Sequence, residues 1–226
     1  MSCRRSAAIV AGLWIAVSAS VAAANFWDAK PYTEWSQKEV ETLLSDSPWV
    51  RKLSVVVQSP PRASEDVVGG GGGRGGGGGD TGGRGFPVAA PQLKLTLTWR
   101  SALPVRQAFV RQSDSGTTPI DAKSLLQRPE QYLLTLSGVP ARYQGVVPSA
   151  VQTSFLKRAH KPPIPLLQGG IQQDGRGTVT LIYAFPRTDP ISLDDQEVEF
   201  VTAFGTIEIK QKFKLKDLAV HGELDL

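Results

Sequence analysis

The sequence predicts an α+β chain, mainly an antiparallel sheet of about six strands with two to four short helices on one side. Three observations predict it. Apolar and polar residues alternate with period two in several segments, as in "QLKLTLTWR" and "EVEFVTAF". Turn pairs such as Asp174-Gly175 and Gly205-Thr206 join neighbouring strand patterns, which makes the pairing antiparallel. Helical spacing is confined to short stretches, too few for alternating βαβ units.

Taken in order, residues 1–24 read as an export leader. Arg4 and Arg5 precede an apolar run from Ala7 to Val21, and Ala22–Ala24 offer a cleavage site before Asn25. The run is short and interrupted by Ser18 and Ser20, so no stable membrane span is expected after cleavage. Cys3, the one cysteine, lies before the apolar run, so the processed chain has neither disulfide nor thiolate chemistry. Removing Arg4 and Arg5 leaves 23 Lys+Arg against 21 Asp+Glu, a balance too mild to call for nucleic acid. The expected address is periplasmic or secreted.

Residues 25–58 form an N-terminal helix and the first strand. Ser36 and Glu39 have capping-box spacing, and Trp35 with Val40 has that of a hydrophobic staple, which predicts a helix from about Gln37 to Ser45. Phe26, Trp27, Tyr32, Trp35 and Trp49 crowd this stretch. They read either as rings clamping the helix to the core or as a sugar or partner surface. In "RKLSVVVQ", Leu53, Val55 and Val57 share one face.

Residues 59–91 are a Gly/Pro-rich insertion. The stretch from Val67 to Phe86 holds 13 of the 23 glycines. It lacks the Gly-Lys-Ser/Thr ending and the following helix of a phosphate loop, and its two arginines are a poor nucleic-acid signal. A flexible insertion between two strands remains, tolerated because loop closure grows slowly with length.

Residues 92–226 complete a single α+β domain. Leu93, Leu95, Leu97 and Trp99 point inward from one strand. "SALPVRQAFVRQ" predicts a helix with Val105, Ala108 and Phe109 on one face, Asp121–Gln127 a short helix, and "QYLLTLSGVP" a strand. "PSAVQTSFLKRA" predicts a helix aligning Val151, Phe155 and Ala159. "PIPLLQGGIQQ" and "GTVTLIYAF" flank a turn. With Gly205-Thr206 as a type II′ loop, Phe204 faces Ile207, Thr202 faces Ile209, Phe200 faces Gln211 and Val198 faces Phe213. Glu199 and Glu197 then oppose Lys212 and Lys214. "LAVHGELDL" is one further strand candidate.

Candidate chemistry is sparse. Ser154 and Lys157 match S-x-x-K, in which a lysine one helical turn away helps deprotonate a serine; the companion K-T-G is absent. Arg100, Arg106 and Arg111 lie where a strand passes into a helix and are candidates for contacting an anion. His160 and His221 lack ligand spacing, and Asp194, Asp195, Glu197 and Glu199 lack a calcium-loop pattern, so no metal or other cofactor is expected. Lys210, Lys212, Lys214 and Lys216 read as a solvated strand face that discourages edge pairing, with a basic stripe for an anionic polymer as the alternative.

"FWDAKPYTEWSQKEVETLLSDSPW", "TWRSALPVRQAF" and "VEFVTAFGTIEIKQKFKLKDLAVHGEL" resemble uncharacterised exported proteins of acidobacterial type. That resemblance implies an exported address and carries no activity or site residue. The expectation is a non-catalytic binding or envelope-assembly module whose partner is another envelope protein or a polysaccharide. The alternative is a serine hydrolase using Ser154 and Lys157.

Overall fold

A computed structural model describes residues 25–57, 92–114, 121–146, 150 and 153–226. The leader and the glycine-rich insertion lie outside the described residues. The architecture is α+β and dominated by antiparallel sheet, as the alternation predicts. Among the described residues, nine strands are divided between two sheets. The first has the order β1-β2-β3-β7-β6, with β1 Val50–Val56, β2 Gln92–Trp99, β3 Gln131–Pro140, β6 Gln168–Gln173 and β7 Thr178–Pro186. The second has the order β5-β4-β8-β9, with β4 Phe155–Arg158, β5 Ile164–Pro165, β8 Glu197–Phe204 and β9 Ile207–Lys214. Helices α1 Phe26–Ala29, α2 Gln37–Ser45, α3 Leu103–Ser113, α4 Ala122–Leu126 and α5 Leu215–Leu218 complete it.

Alternation explains the division into sheets. The longer strands β2, β3, β7, β8 and β9 each have one strongly apolar face, and the apolar faces of the two sheets bury each other. Leu95, Leu97, Trp99, Tyr132, Leu134, Leu181, Tyr183 and Phe185 of the first sheet share one core with Val198, Phe200, Ile209 and Phe213 of the second. Edge-to-face rings join the layers: Trp99 with Phe213 at 5.3 Å, and Tyr183 with Phe200 at 5.0 Å. A buried hydroxyl chain crosses the same core. Ser154 Oγ donates to Thr202 Oγ1 at 2.7 Å, and Thr202 donates to the Tyr183 hydroxyl at 3.3 Å. Burial pushes the Tyr183 phenol up to about 12, so it stays a neutral hydroxyl.

The β8–β9 hairpin has the expected register, Phe204 opposite Ile207 through Val198 opposite Phe213. Gly205 has φ +58, the left-handed backbone that the first position of a type II′ turn requires. Lys212 and Lys214 oppose Glu199 and Glu197, but the ion pair runs diagonally, Lys212 Nζ to Glu197 at 2.7 Å.

Helix α2 spans Gln37–Ser45 with both halves of the Ser36/Glu39 capping box formed. It packs on α3 and β1 through Val40 and Leu43. Two glycine-dependent features bend β3. The ladder with β7 shifts between Leu136 and Val139, and Gly138 in that gap has φ +84. A Cβ there would stand 2.7 Å from the Lys94 carbonyl oxygen, so only glycine lets β3 close on β2.

Three local expectations are corrected. Phe155 to Arg158 form a strand, where a helix was expected to continue. Leu156 and Arg158 turn inward while Lys157 is exposed, and pairing with β8 outweighs the helical spacing. The tail is not a strand. It makes α5, then a tight turn at His221 and Gly222, φ +51 and +82, bridged by Val220 and Glu223. Lys216 therefore belongs to α5, outside the lysine row of β9. On α3, Arg106 and Val110 are buried and Phe109 is only half-buried, so the inward face is rotated from the expected one.

Candidate functional site

The N-terminal aromatic residues divide between core and surface. Trp35 and Trp49 are fully buried, whereas Phe26, Trp27 and Tyr32 are half-buried against the core. Trp27 packs edge-to-face on Phe26 at 4.9 Å and on Trp49 at 5.3 Å, which fixes its ring. Its remaining surface lines a cleft of about 630 Å³.

Three separate parts of the chain build this cleft. Asn25 caps α1, its carbonyl accepting from the Asp28 and Ala29 amides at 2.9 and 3.1 Å. The residues that close α2 and open β1 add Asp46, Ser47 and Arg51, and α5 adds Lys216 and Asp217. The His221 amide donates to Asp28 at 3.3 Å, so the tail turn holds that carboxylate. Arg51 Nη1 donates to the carbonyls of Ser47 and Val50 and lies 5.5 Å over Phe213, which leaves its position well determined.

The cleft carries carboxylates of Asp28, Asp46 and Asp217 against Arg51 and Lys216, one negative charge in excess. Among the described residues, no group of three acids or histidines is placed to hold a metal ion. Ser47, which lines the cleft, is 7% exposed, and its buried hydroxyl has no hydrogen-bond partner among the described residues. An aromatic ring flanked by carboxylates, an amide and a guanidinium suits a ligand with apolar faces and many hydroxyls.

The arginine candidates separate. Arg100 and Arg106 line one cleft of about 420 Å³ with Arg128, while Arg111 faces elsewhere and donates to the Trp35 carbonyl at 3.0 Å. Arg106 is committed to structure. It donates to the carbonyls of Ser101, Leu126 and Gln127 at 2.9, 2.6 and 2.8 Å, and to Asp225 at 2.9 Å. It thereby caps the last carbonyls of α4. The Arg100 guanidinium lies 3.7 Å over the Phe109 ring.

Ser154 and Lys157 are not brought together. The serine is buried, its hydroxyl held between the Ala150 carbonyl and the Thr202 hydroxyl, and the lysine is exposed three residues along an extended segment. Positions three apart in a strand point to opposite faces. His160 and His221 are exposed. Asp195 is buried and ion-paired with Lys161 at 3.2 Å, and Glu197 is paired with Lys212.

Sequence reasoning singled out Trp27 among the aromatic residues and Lys216 in the lysine row, not in this cleft, and missed Asp46, Ser47, Arg51 and Asp217. Asp46 and Ser47 carry a faint signal, polar residues just past a helix end. Nothing in the sequence places Lys216 and Asp217 beside Trp27, because their approach depends on the packing of the tail. No protein-family model, curated protein or solved structure matches the chain.

Proposed function

We propose that the protein is an exported, non-catalytic binding module of the cell envelope, and that its ligand is a hydroxyl-rich glycan, neutral or amino-bearing, held in the Trp27 cleft. The observation that carries the reading is a half-buried tryptophan, fixed by two edge-to-face ring contacts, in a cleft lined by three carboxylates. The ring offers an apolar platform to a sugar face, and the carboxylates, amide and guanidinium offer acceptors and donors to its hydroxyls. Export rests on the leader-like residues 1–24 and on the resemblance of three segments to exported proteins of acidobacterial type. The hydrolase alternative draws little support from a buried serine and a lysine on the opposite strand face.

Tryptophan fluorescence titrated with neutral glucan and with chitosan oligosaccharides tests this reading. Saturable binding to one of them is expected, weakened at least about tenfold by Trp27→Ala, which corresponds to about 1.4 kcal/mol. Binding to neither probe, or full affinity in Trp27→Ala, overturns it.

A further inference from the structure

A sheet edge presents unpaired N–H and C=O groups, and proteins ordinarily blunt such edges with charge, proline or brevity. The two sheets have four edge strands among the described residues, and three are protected in this way. β1 carries Arg51 and Lys52. β5 has two residues, one of them Pro165, just after Pro162 and Pro163. β9 carries Glu208, Lys210, Lys212 and Lys214. The fourth, β6, reads Gln168-Gly169-Gly170-Ile171-Gln172-Gln173, without a charge or a proline. Among the described residues it pairs on one side only, with β7. Of the four exposed large hydrophobic residues among those described, two sit on it or beside it, Ile171 at 37% and Leu167 at 57% exposure.

We propose that β6 is a self-association edge, at which a second copy of this chain adds its own β6 antiparallel about a two-fold axis and extends the five-stranded sheet across both molecules. Two properties of the strand select a second copy as the occupant. In a two-fold pair each residue near the axis meets itself or a close neighbour, so a charged residue there would face its own like charge; β6 has none. The glycines leave room for the partner's Ile171, which lies on the core-facing side opposite Leu181 of its own sheet. Pairing would cover Ile171 and Leu167 and satisfy the free backbone groups together. Six residues make an edge of only about 20 Å, so the contact is weak and concentration-dependent.

Sedimentation equilibrium of the purified protein from low micromolar to near-millimolar concentration tests this. The apparent mass is expected to rise toward twice the monomer's, and hydrogen exchange of the β6 amides is expected to slow over the same range. Ile171→Lys and Ile171→Glu should each weaken self-association at least about tenfold while keeping the native melting transition, and their equimolar mixture should restore it. A wild-type protein that stays monomeric, β6 exchange that ignores concentration, or Ile171→Lys that associates like wild type overturns the proposal. None of these readouts depends on glycan binding, so the two proposals fail separately.

Discussion

The guanidinium of Arg106 and the carboxylate of Asp225 meet at 2.9 Å although 119 positions separate them. Arg106 is 4% exposed, and the Leu103 amide donates to the Asp225 carbonyl at 2.8 Å, so the start of α3 and the tail hold each other by side chain and backbone. With Arg106 also capping α4, one buried cation joins three parts of the chain.

Arg106→Met is therefore expected to destabilise strongly. Removing the buried partner leaves the Ser101, Leu126 and Gln127 carbonyls without their donor and Asp225 with only Arg128 at 3.6 Å, and breaking an ion pair from its buried side costs roughly 3–5 kcal/mol. Asp225→Asn should cost less, because its side chain is one-third exposed and Arg106 keeps its carbonyl partners. Urea unfolding of both variants checks the order. Equal small losses would mean that the tail is held by Leu226 burial instead.

The β8–β9 hairpin makes a paired prediction. Ile209 is 3% exposed and sits in the shared core, so Ile209→Ala should cost roughly 2–5 kcal/mol. Lys212 is exposed, and Lys212→Ala should barely move the midpoint, because solvent screens its pair with Glu197. Gly205→Val should also lower the midpoint, since φ +58 is strained for a β-branched residue. Denaturant melts of the three variants read the outcome. A Lys212→Ala loss as large as that of Ile209→Ala would reverse every inward and outward position in the hairpin.

The capping box makes a pH prediction. Hydrogen bonds from Lys30 and Ser36 hold the Glu39 carboxyl down from its ordinary 4.5 to about 2. A carboxyl whose pKa is lower in the folded state stabilises the fold above its unfolded value and loses that contribution as pH falls to the folded one. Glu39→Gln should thus melt below wild type at neutral pH. The gap should narrow between about pH 4.5 and pH 2. Melting temperatures of both proteins across that range decide it, and a gap independent of pH would assign the loss to something other than the carboxylate.

What was legible in the sequence was local. The Ser36/Glu39 box, the alternation on both sides of Gly205 and the inward row Leu93 to Trp99 are set by residues within a few positions of one another. Capping, turn and two-residue period therefore act before any tertiary contact forms. What only the tertiary structure decided depends on partners far along the chain. Leu156 and Arg158 became strand because β8 offered them a ladder, and Arg106 became a structural cation because Asp225 and the α4 carbonyls reached it. The cleft is the same case. Trp27, Ser47 and Asp217 share a wall only because α5 packs its leucines into the core and the turn at His221 brings the tail back to Asp28. Local pattern carries no information about which distant surfaces meet. That is settled by burial of apolar area summed over the whole chain, and the site is assembled from whatever polar residues this burial leaves at the junction.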